Sequence, residues 1–279
     1  GRFQGDPLRQ APVAPLALVR LSTLLRAQNR AADAVRRLEP LRREVREGRA
    51  LAELYATLSR ALIAAGRAQD AATLVREASK QFPNRLDILL NAAVMLAEAE
   101  KLDPAVALLQ DALLSDPAQQ DVLRALFDIC RQADQLKHVT DWLDKQARGP
   151  AAALWLSYLA RVYEWDGQVR QALDVTERLL KLQPQDAAVL QSGAQLALRA
   201  NDFARAADWL RQALVAHPGD EGLVTLLGEA LLRQGQLQQA LAAWRQGLAY
   251  DPAQAPSVRR LGSVLMRYEL YEAALDVYR

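Results

Sequence analysis

Cysteine is nearly missing from these 279 residues, and that scarcity already excludes several kinds of protein. The single Cys130 can form no intrachain disulfide and can supply no cysteine cluster to a metal. It suits a reducing compartment, and a disulfide-free periplasmic protein equally. Histidine is as scarce. His138 and His217 belong to no H-E-x-x-H or Cys/His array. Neither a Walker-type glycine loop nor a G-x-S-x-G elbow is present, and close acids such as Glu98 and Glu100 read as helix surface. No catalytic residue, metal or cofactor is therefore expected, and an enzyme is not. Long apolar runs are lacking too. None reaches the roughly 18 residues of a membrane span, so this segment is expected to cross no membrane.

Aromatic residues make up only 6% of the chain, and β-branched runs are few. What is plentiful is Ala and Leu, within a hydrophobic content of 51%. Both lose little conformational freedom in a helix, so the composition favours helices. The length alone leaves the domain count open. The net charge of +2 hides an uneven distribution: residues 1–51 hold 11 Arg against 5 acids, and residues 86–152 hold 6 Lys+Arg against 11 acids. Such a gradient can orient partners. Solvated helix faces of differing charge are the plainer account.

Proline is sparse, but its spacing is regular. Pro83, Pro117, Pro150, Pro184, Pro218 and Pro252 follow one another at 34, 33, 34, 34 and 34 residues. A period of this size marks a stacked repeat. Each proline lacks an N–H and restricts the residue before it, which stops a helix. Asp186 and Asp220 follow two residues after their prolines, placed to cap the next helix. Gly66, Gly167 and Gly235, with Asp134 and Asn201 at the matching position, fall midway between prolines, where a left-handed residue ends a helix. Each unit thus reads helix, turn, helix, proline turn. Numbering a unit from three residues after its proline, position 20 is Ala71, Ala105, Ala172, Ala206, Ala240 and Ala274, and position 8 is Ala93, Ala160, Ala194, Gly228 and Gly262. Small residues there let two helices cross closely.

These residues resemble the tetratricopeptide repeat, most closely in "VLQSGAQLALRANDFARAADWLRQALVAHPGD" and "LVTLLGEALLRQGQLQQALAAWRQGLAYDPAQ". The resemblance implies an all-α, right-handed solenoid of stacked helix-turn-helix units. Residues 1–14 read as an extended N-terminal segment and 15–279 as the solenoid. Its units fall at about 15–51, 52–85, 86–119, 120–152, 153–186, 187–220 and 221–254, with an incomplete one at 255–279. The first is looser, with Pro40 kinking or ending its second helix. Unit 120–152 is one residue short, which puts Val139 at the alanine position and distorts the stack. The pattern stops in mid-unit, and the native protein is expected to continue past Arg279.

In this family the groove is lined by positions 2, 5, 9, 12 and 13 of the first helices. Carried onto this chain, that register implies a partner-binding surface of Arg124, Asp128, Arg131, Ser157, Arg161, Glu164, Trp165, Gln191, Gln195 and Arg199. Arg and Trp are frequent binding anchors. An internal lattice of ion pairs is the competing account. The Lys and Asn pair that chaperone-tail clamps of the family carry at positions 5 and 9 is absent, and the mixed signs of the groove argue against nucleic acid.

A narrower resemblance lies in "LSYLARVYEWDGQVRQALDV", residues 156–175, which is similar to repeats in periplasmic scaffolds of Pel-type exopolysaccharide-export proteins. It implies a non-catalytic periplasmic scaffold that recruits a polysaccharide-modifying enzyme, such as a deacetylase or hydrolase, to an outer-membrane export complex. A general assembly or cochaperone-type scaffold, cytoplasmic and binding peptide segments, is the alternative. Direct glycan contact ranks below both. The register itself is testable. Ala206→Leu should overpack a helix crossing and cost about 1–3 kcal/mol in a denaturation midpoint, while the same change at a convex alanine should be nearly neutral. An unchanged stability would refute the register.

Overall fold

The computed structural model describes residues 23–25, 28, 30–43, 48–82 and 85–279. The expected N-terminal segment 1–14, much of the first repeat, and Pro83 lie outside them. The described residues are helices and turns, without a strand. Two compact units divide the chain, residues 1–139 and 140–279. The N-terminal unit contains α1 (Ala31–Leu38), α2 (Gly48–Ala64), α3 (Ala68–Gln81), α4 (Leu86–Glu98), α5 (Leu102–Ser115) and α6 (Gln120–Gln132). The division falls within α7 (Leu136–Gln146). The C-terminal unit continues with α8 (Ala152–Trp165), α9 (Val169–Leu182), α10 (Ala187–Arg199), α11 (Phe203–Ala216), α12 (Glu221–Arg233), α13 (Leu237–Gly247), α14 (Ala255–Arg267) and α15 (Tyr271–Tyr278). Within each unit most consecutive helices pack on one another, and in the N-terminal unit α2 also meets α4, and α4 meets α6. After α1, Pro40 lies in a 3-10 turn, Glu39–Arg43, so the helix ends just before it.

The turn inside each helix pair has one geometry throughout. Gly66, Asp134, Gly167, Asn201 and Gly235 all have positive φ, between 53° and 77°. Glu100 and Glu269 hold the same place with φ of 58° and 60°, although neither is a residue that favours it. What enforces the turn is its hydrogen bonding. The N–H of the residue after each one reaches back to a carbonyl five residues earlier, as from Lys101 to Leu96 and from Leu270 to Leu265, both at 2.9 Å. That bond satisfies a carbonyl the helix end would leave open. Its gain offsets the cost of about 1–2 kcal/mol for a left-handed non-glycine residue. At the other turn, the Asp186 carboxylate accepts the N–H groups of Ala188 and Val189 at 2.9 and 3.1 Å, and Asp220 accepts that of Leu223 at 3.0 Å. Both cap the helix that follows, as their spacing predicts.

Position 20 is sealed. Ala71, Ala105, Ala172, Ala206 and Ala240 are fully buried, and Val139 takes the place without exposure. In four repeats position 8 changes in size with position 24, sixteen residues on, while unit 120–152, with Phe127 and Leu143, departs from this. Where position 24 is Leu109 or Leu210, position 8 is alanine, Ala93 or Ala194. Where it is Trp244 or Tyr278, position 8 is Gly228 or Gly262, and a Cβ on either glycine would collide with the ring. At the C-terminal edge Leu275 and Tyr278 are each 50% exposed, while Leu241 and Trp244, one repeat earlier, are 9% and 0% exposed. Positions 21 and 24 are therefore buried by the stacking of successive pairs.

Ion pairs join the outer, second helices. Arg76 meets Asp111 at 2.6 Å, Arg178 meets Asp144 at 2.7 Å, Arg205 meets Glu177 at 3.0 Å, and Arg42 pairs with Glu77. His138 is exposed beside the buried Val139. Cys130 is buried, and burial pushes its thiol up to about 11, which leaves it protonated and unreactive at neutral pH.

The size matching gives a mutational cycle. Gly228→Ala should destabilise the chain by about 1–3 kcal/mol through overpacking, and Trp244→Leu should also destabilise it by leaving a cavity. The double variant recreates the alanine–leucine pair of the neighbouring repeat, so its loss in urea denaturation should be smaller than the sum of the two. Strict additivity would show that the glycine is not there for the indole.

Candidate functional site

The ten candidate residues lie on three first helices. Arg124, Asp128 and Arg131 are on α6, in the N-terminal unit. The other seven belong to the C-terminal unit, with Ser157, Arg161, Glu164 and Trp165 on α8 and Gln191, Gln195 and Arg199 on α10. Spacings of three and four residues set each group along one helix face.

On α6 the two arginines are already engaged. Arg124 pairs with Asp128 at 3.0 Å, and its guanidinium stands 5.3 Å from the centroid of the buried Phe127 ring. Arg131 lies 5.7 Å from the same ring. In the C-terminal unit, Arg199 reaches across the repeat boundary to Glu164, but at 3.4 Å. That is long for a charge-assisted bond, and both side chains are solvated, so the pair holds the partners loosely. The Ser157 hydroxyl is turned inward and donates to the Leu154 carbonyl at 2.6 Å. Arg161, Glu164 and Trp165 are half-buried on the same face. Gln191 is half-buried and Gln195 exposed, and their side-chain amides have no partner among the described residues. Among these residues the α6 arginines are engaged, Arg199 is loosely paired with Glu164, and the amides on α10 are free.

The C-terminal unit also has a groove that reasoning from the sequence covers only in part. Gln191, Gln195, Thr225 and Glu229 line it together with Arg260, Arg267 and Tyr268 from α14 and its C-terminal turn, around a volume of about 710 Å³. Thr225 and Glu229 stand at groove positions of their repeat, and continuing the register by 34 residues would have reached Ser263 and Arg267. Tyr268 had no such signal. It stacks on Trp244 with centroids 5.2 Å apart, while its hydroxyl donates to Glu229 at 2.9 Å. Burial, then the adjacent Glu229 carboxylate, hold its phenol well above the ordinary value. Arg260 pairs with Glu221 at 2.8 Å on the same rim. In the N-terminal unit a second groove, of about 780 Å³, lies between α4 and α6. No three His, Cys, Asp or Glu side chains among the described residues are placed to hold a metal. No described helix is long and apolar enough to cross a membrane.

Three family models match the chain. Two are described as tetratricopeptide repeat, over residues 62–129 and 225–279. The third, described as anaphase-promoting complex, cyclosome, subunit 3, matches residues 145–246 and is of the same repeat family. The chain is a tetratricopeptide-repeat protein. Its fold is an all-α tetratricopeptide solenoid, and repeats of this family make it a protein-interaction scaffold. No curated protein matches the chain. Similar solved structures include PilW, a type IV pilus biogenesis factor, at 16% identity over 78% of this chain and 100% of that one, with a TM-score of 0.41. Another is the C-terminal part of a repeat protein from Cytophaga hutchinsonii, at 15% identity over 87% and 99%, with a TM-score of 0.42. A tetratricopeptide protein from Parabacteroides merdae shares 16% identity over 90% and 98%, with a TM-score of 0.35.

The Tyr268 contact can be isolated in this scaffold. Tyr268→Phe keeps the stack on Trp244 and removes the bond to Glu229, so it should cost about 1 kcal/mol at neutral pH. A phenol with a raised native pKa contributes stability below the unfolded value of about 10 and loses it as pH rises through that range. The phenylalanine variant should therefore lose less stability than the parent on going to alkaline pH. Parallel pH profiles for the two proteins would refute the assignment.

Proposed function

We propose that this repeat protein docks a partner protein on the first-helix face of its C-terminal unit, with Arg161 and Trp165 as anchors. The observation that supports this most is the polar chemistry left open on α10. Gln191 and Gln195 offer unengaged amides one helical turn apart, beside a loosely paired Arg199. Buried polar groups are normally satisfied, but solvated ones can wait for a ligand. An amide can hold a partner backbone through both its donor and its acceptor. Arginine adds two-pronged recognition of a carboxylate, and a half-buried tryptophan adds rigid contact area. On α6 of the N-terminal unit, considered by itself, Arg124 and Asp128 pair with each other, which makes that face the weaker candidate for partner contact.

The finer reading concerns the partner. Arg161 and Trp165 fall inside residues 156–175, the stretch that resembles periplasmic exopolysaccharide-export scaffolds. On that ground the partner is a periplasmic deacetylase or hydrolase acting on a polysaccharide, held beside an outer-membrane export pore. Arg161→Glu combined with Arg199→Glu should weaken capture of the partner from a periplasmic extract about tenfold or more, equivalent to roughly 1.4 kcal/mol, with unchanged helicity. Undiminished capture would move the interface to another face. Capture from a cytoplasmic extract alone would replace the export reading with that of a general assembly scaffold.

A further inference from the structure

The groove of the N-terminal unit differs in chemistry from that of the C-terminal unit. It runs between α4 and α6, the first helices of successive repeats, and has an apolar floor of Leu90, Val94, Leu102 and Ile129. Val94 is 44% exposed, which is unusual for a valine on a helix that is otherwise well packed. The rim carries Glu98, Glu100 and Asp128, and no Lys, Arg or His lines the groove. Asp128 is paired with Arg124. Glu98 and Glu100 are exposed, and their carboxylates make no ion pair or hydrogen bond among the described residues.

Placement makes these two carboxylates more than solvated surface. Glu98 ends α4, and Glu100 is the left-handed residue that closes it, so the turn geometry holds their backbones in fixed relation at one end of the groove. The bond from the Lys101 N–H to the Leu96 carbonyl holds that turn at 2.9 Å. An apolar floor next to a carboxylate lowers the local dielectric, so an opposite charge brought there interacts more strongly than in bulk water. The surrounding sequence has the same sign, with 6 Lys+Arg against 11 acids over residues 86–152. A field of one sign steers an oppositely charged ligand and speeds its approach.

We infer that this groove receives a cationic segment of a partner protein, in which one large aliphatic side chain sits over Val94 and Ile129 while flanking arginines or lysines meet Glu98 and Glu100. The volume of about 780 Å³ lies within the roughly 300–1,000 Å³ of pockets that take a compact ligand. An acidic segment would be repelled, and a wholly apolar one would leave the glutamates unmet. The inference deepens the scaffold reading, because it names the chemistry of a second docking surface. It does not depend on Arg161, Trp165 or Arg199.

The test is fluorescence anisotropy on the 279-residue chain, with a panel of short labelled peptides that each pair two arginines with one leucine or isoleucine anchor. Versions with glutamate in place of arginine serve as the opposite-charge control. The cationic peptides should bind and the acidic ones should not, with affinity falling as salt rises. Glu98→Lys with Glu100→Lys should weaken binding about tenfold or more. The charge-matched reversal of Glu272 and Asp276, on the exposed side of α15, should leave it within about twofold. Val94→Asp should weaken binding of the aliphatic peptides at high salt as well, and circular dichroism will show whether each variant stays helical. Failure of the cationic peptides to bind, or equal loss in both charge reversals, would overturn the inference. Loss of peptide binding in the Arg161→Glu, Arg199→Glu variant would overturn it too, by moving the peptide to the other groove. Peptide binding alongside undiminished partner capture by that variant would leave this inference standing and refute the proposal for the C-terminal unit.

Discussion

Close approach of two helices at a small residue is the contact on which the rest of this chain depends. The alanines at position 20 are buried, and the one larger residue at that place is Val139, so the first and second helix of a pair meet across a small side chain. A crossing this tight sets where the second helix returns, and hence which face of the first helix is left outward. In four of the pairs position 24 is matched to position 8: leucine against alanine, tryptophan or tyrosine against glycine. Interiors pack at crystal-like density, so a mismatch of even one methyl group is felt. The outward faces of the first helices are what remains for function.

Charge is distributed in keeping with that division. The second helices join their neighbours through Arg76–Asp111, Arg178–Asp144 and Arg205–Glu177, all of them partly solvated. Pairs of this kind contribute about 0–1 kcal/mol each, so they add little to a fold that apolar burial already holds. Their consequence is that most outer charge is internally answered. On the first helices Arg124–Asp128 and Arg260–Glu221 are paired as well, whereas Arg199 meets Glu164 only at 3.4 Å and the carboxylates of Glu98 and Glu100 have no partner among the described residues. Unanswered charge at a groove can discriminate among partners, because a like charge brought there costs several times what a surface pair gains.

Much of the architecture was legible in the sequence because the physics that imposes it acts on single residue types. Proline cannot continue a helix beyond its first turn, and an aspartate two residues on finds free N–H groups, so the period and the caps at Asp186 and Asp220 could be read directly. Left-handed turns were legible only where glycine, asparagine or aspartate marks them. Glu100 and Glu269 adopt the same conformation because a hydrogen-bond pattern imposes it, and a glutamate carries no sign of that. The fit of Gly228 to Trp244 was hidden for another reason. Glycine at position 8 shows that something large is near, but not which of the facing side chains it is. In the candidate site, the register located the first-helix faces. Whether a given arginine is engaged or open depends on rotamers, and Arg124 shows the difference: its neighbour Asp128, one turn away, occupies it.

The repeat construction also bears on how two grooves of different chemistry can coexist in one chain. In a stack each pair meets mainly its neighbours, so stability is close to a sum of local terms. The acidic groove is built on α4 and α6, and the amide-lined groove on α10, α12 and α14, with no helix in common. The exposed side chains on those faces lie outside the alanine crossings, so most can change with little loosening of the helix pairs, Tyr268 on Trp244 being an exception. A globular core would couple such changes through shared packing. Here the buried column carries the fold and the outward faces are open to different demands, which is why one solenoid can present an acidic, apolar groove in one unit and a polar, amide-bearing one in the other.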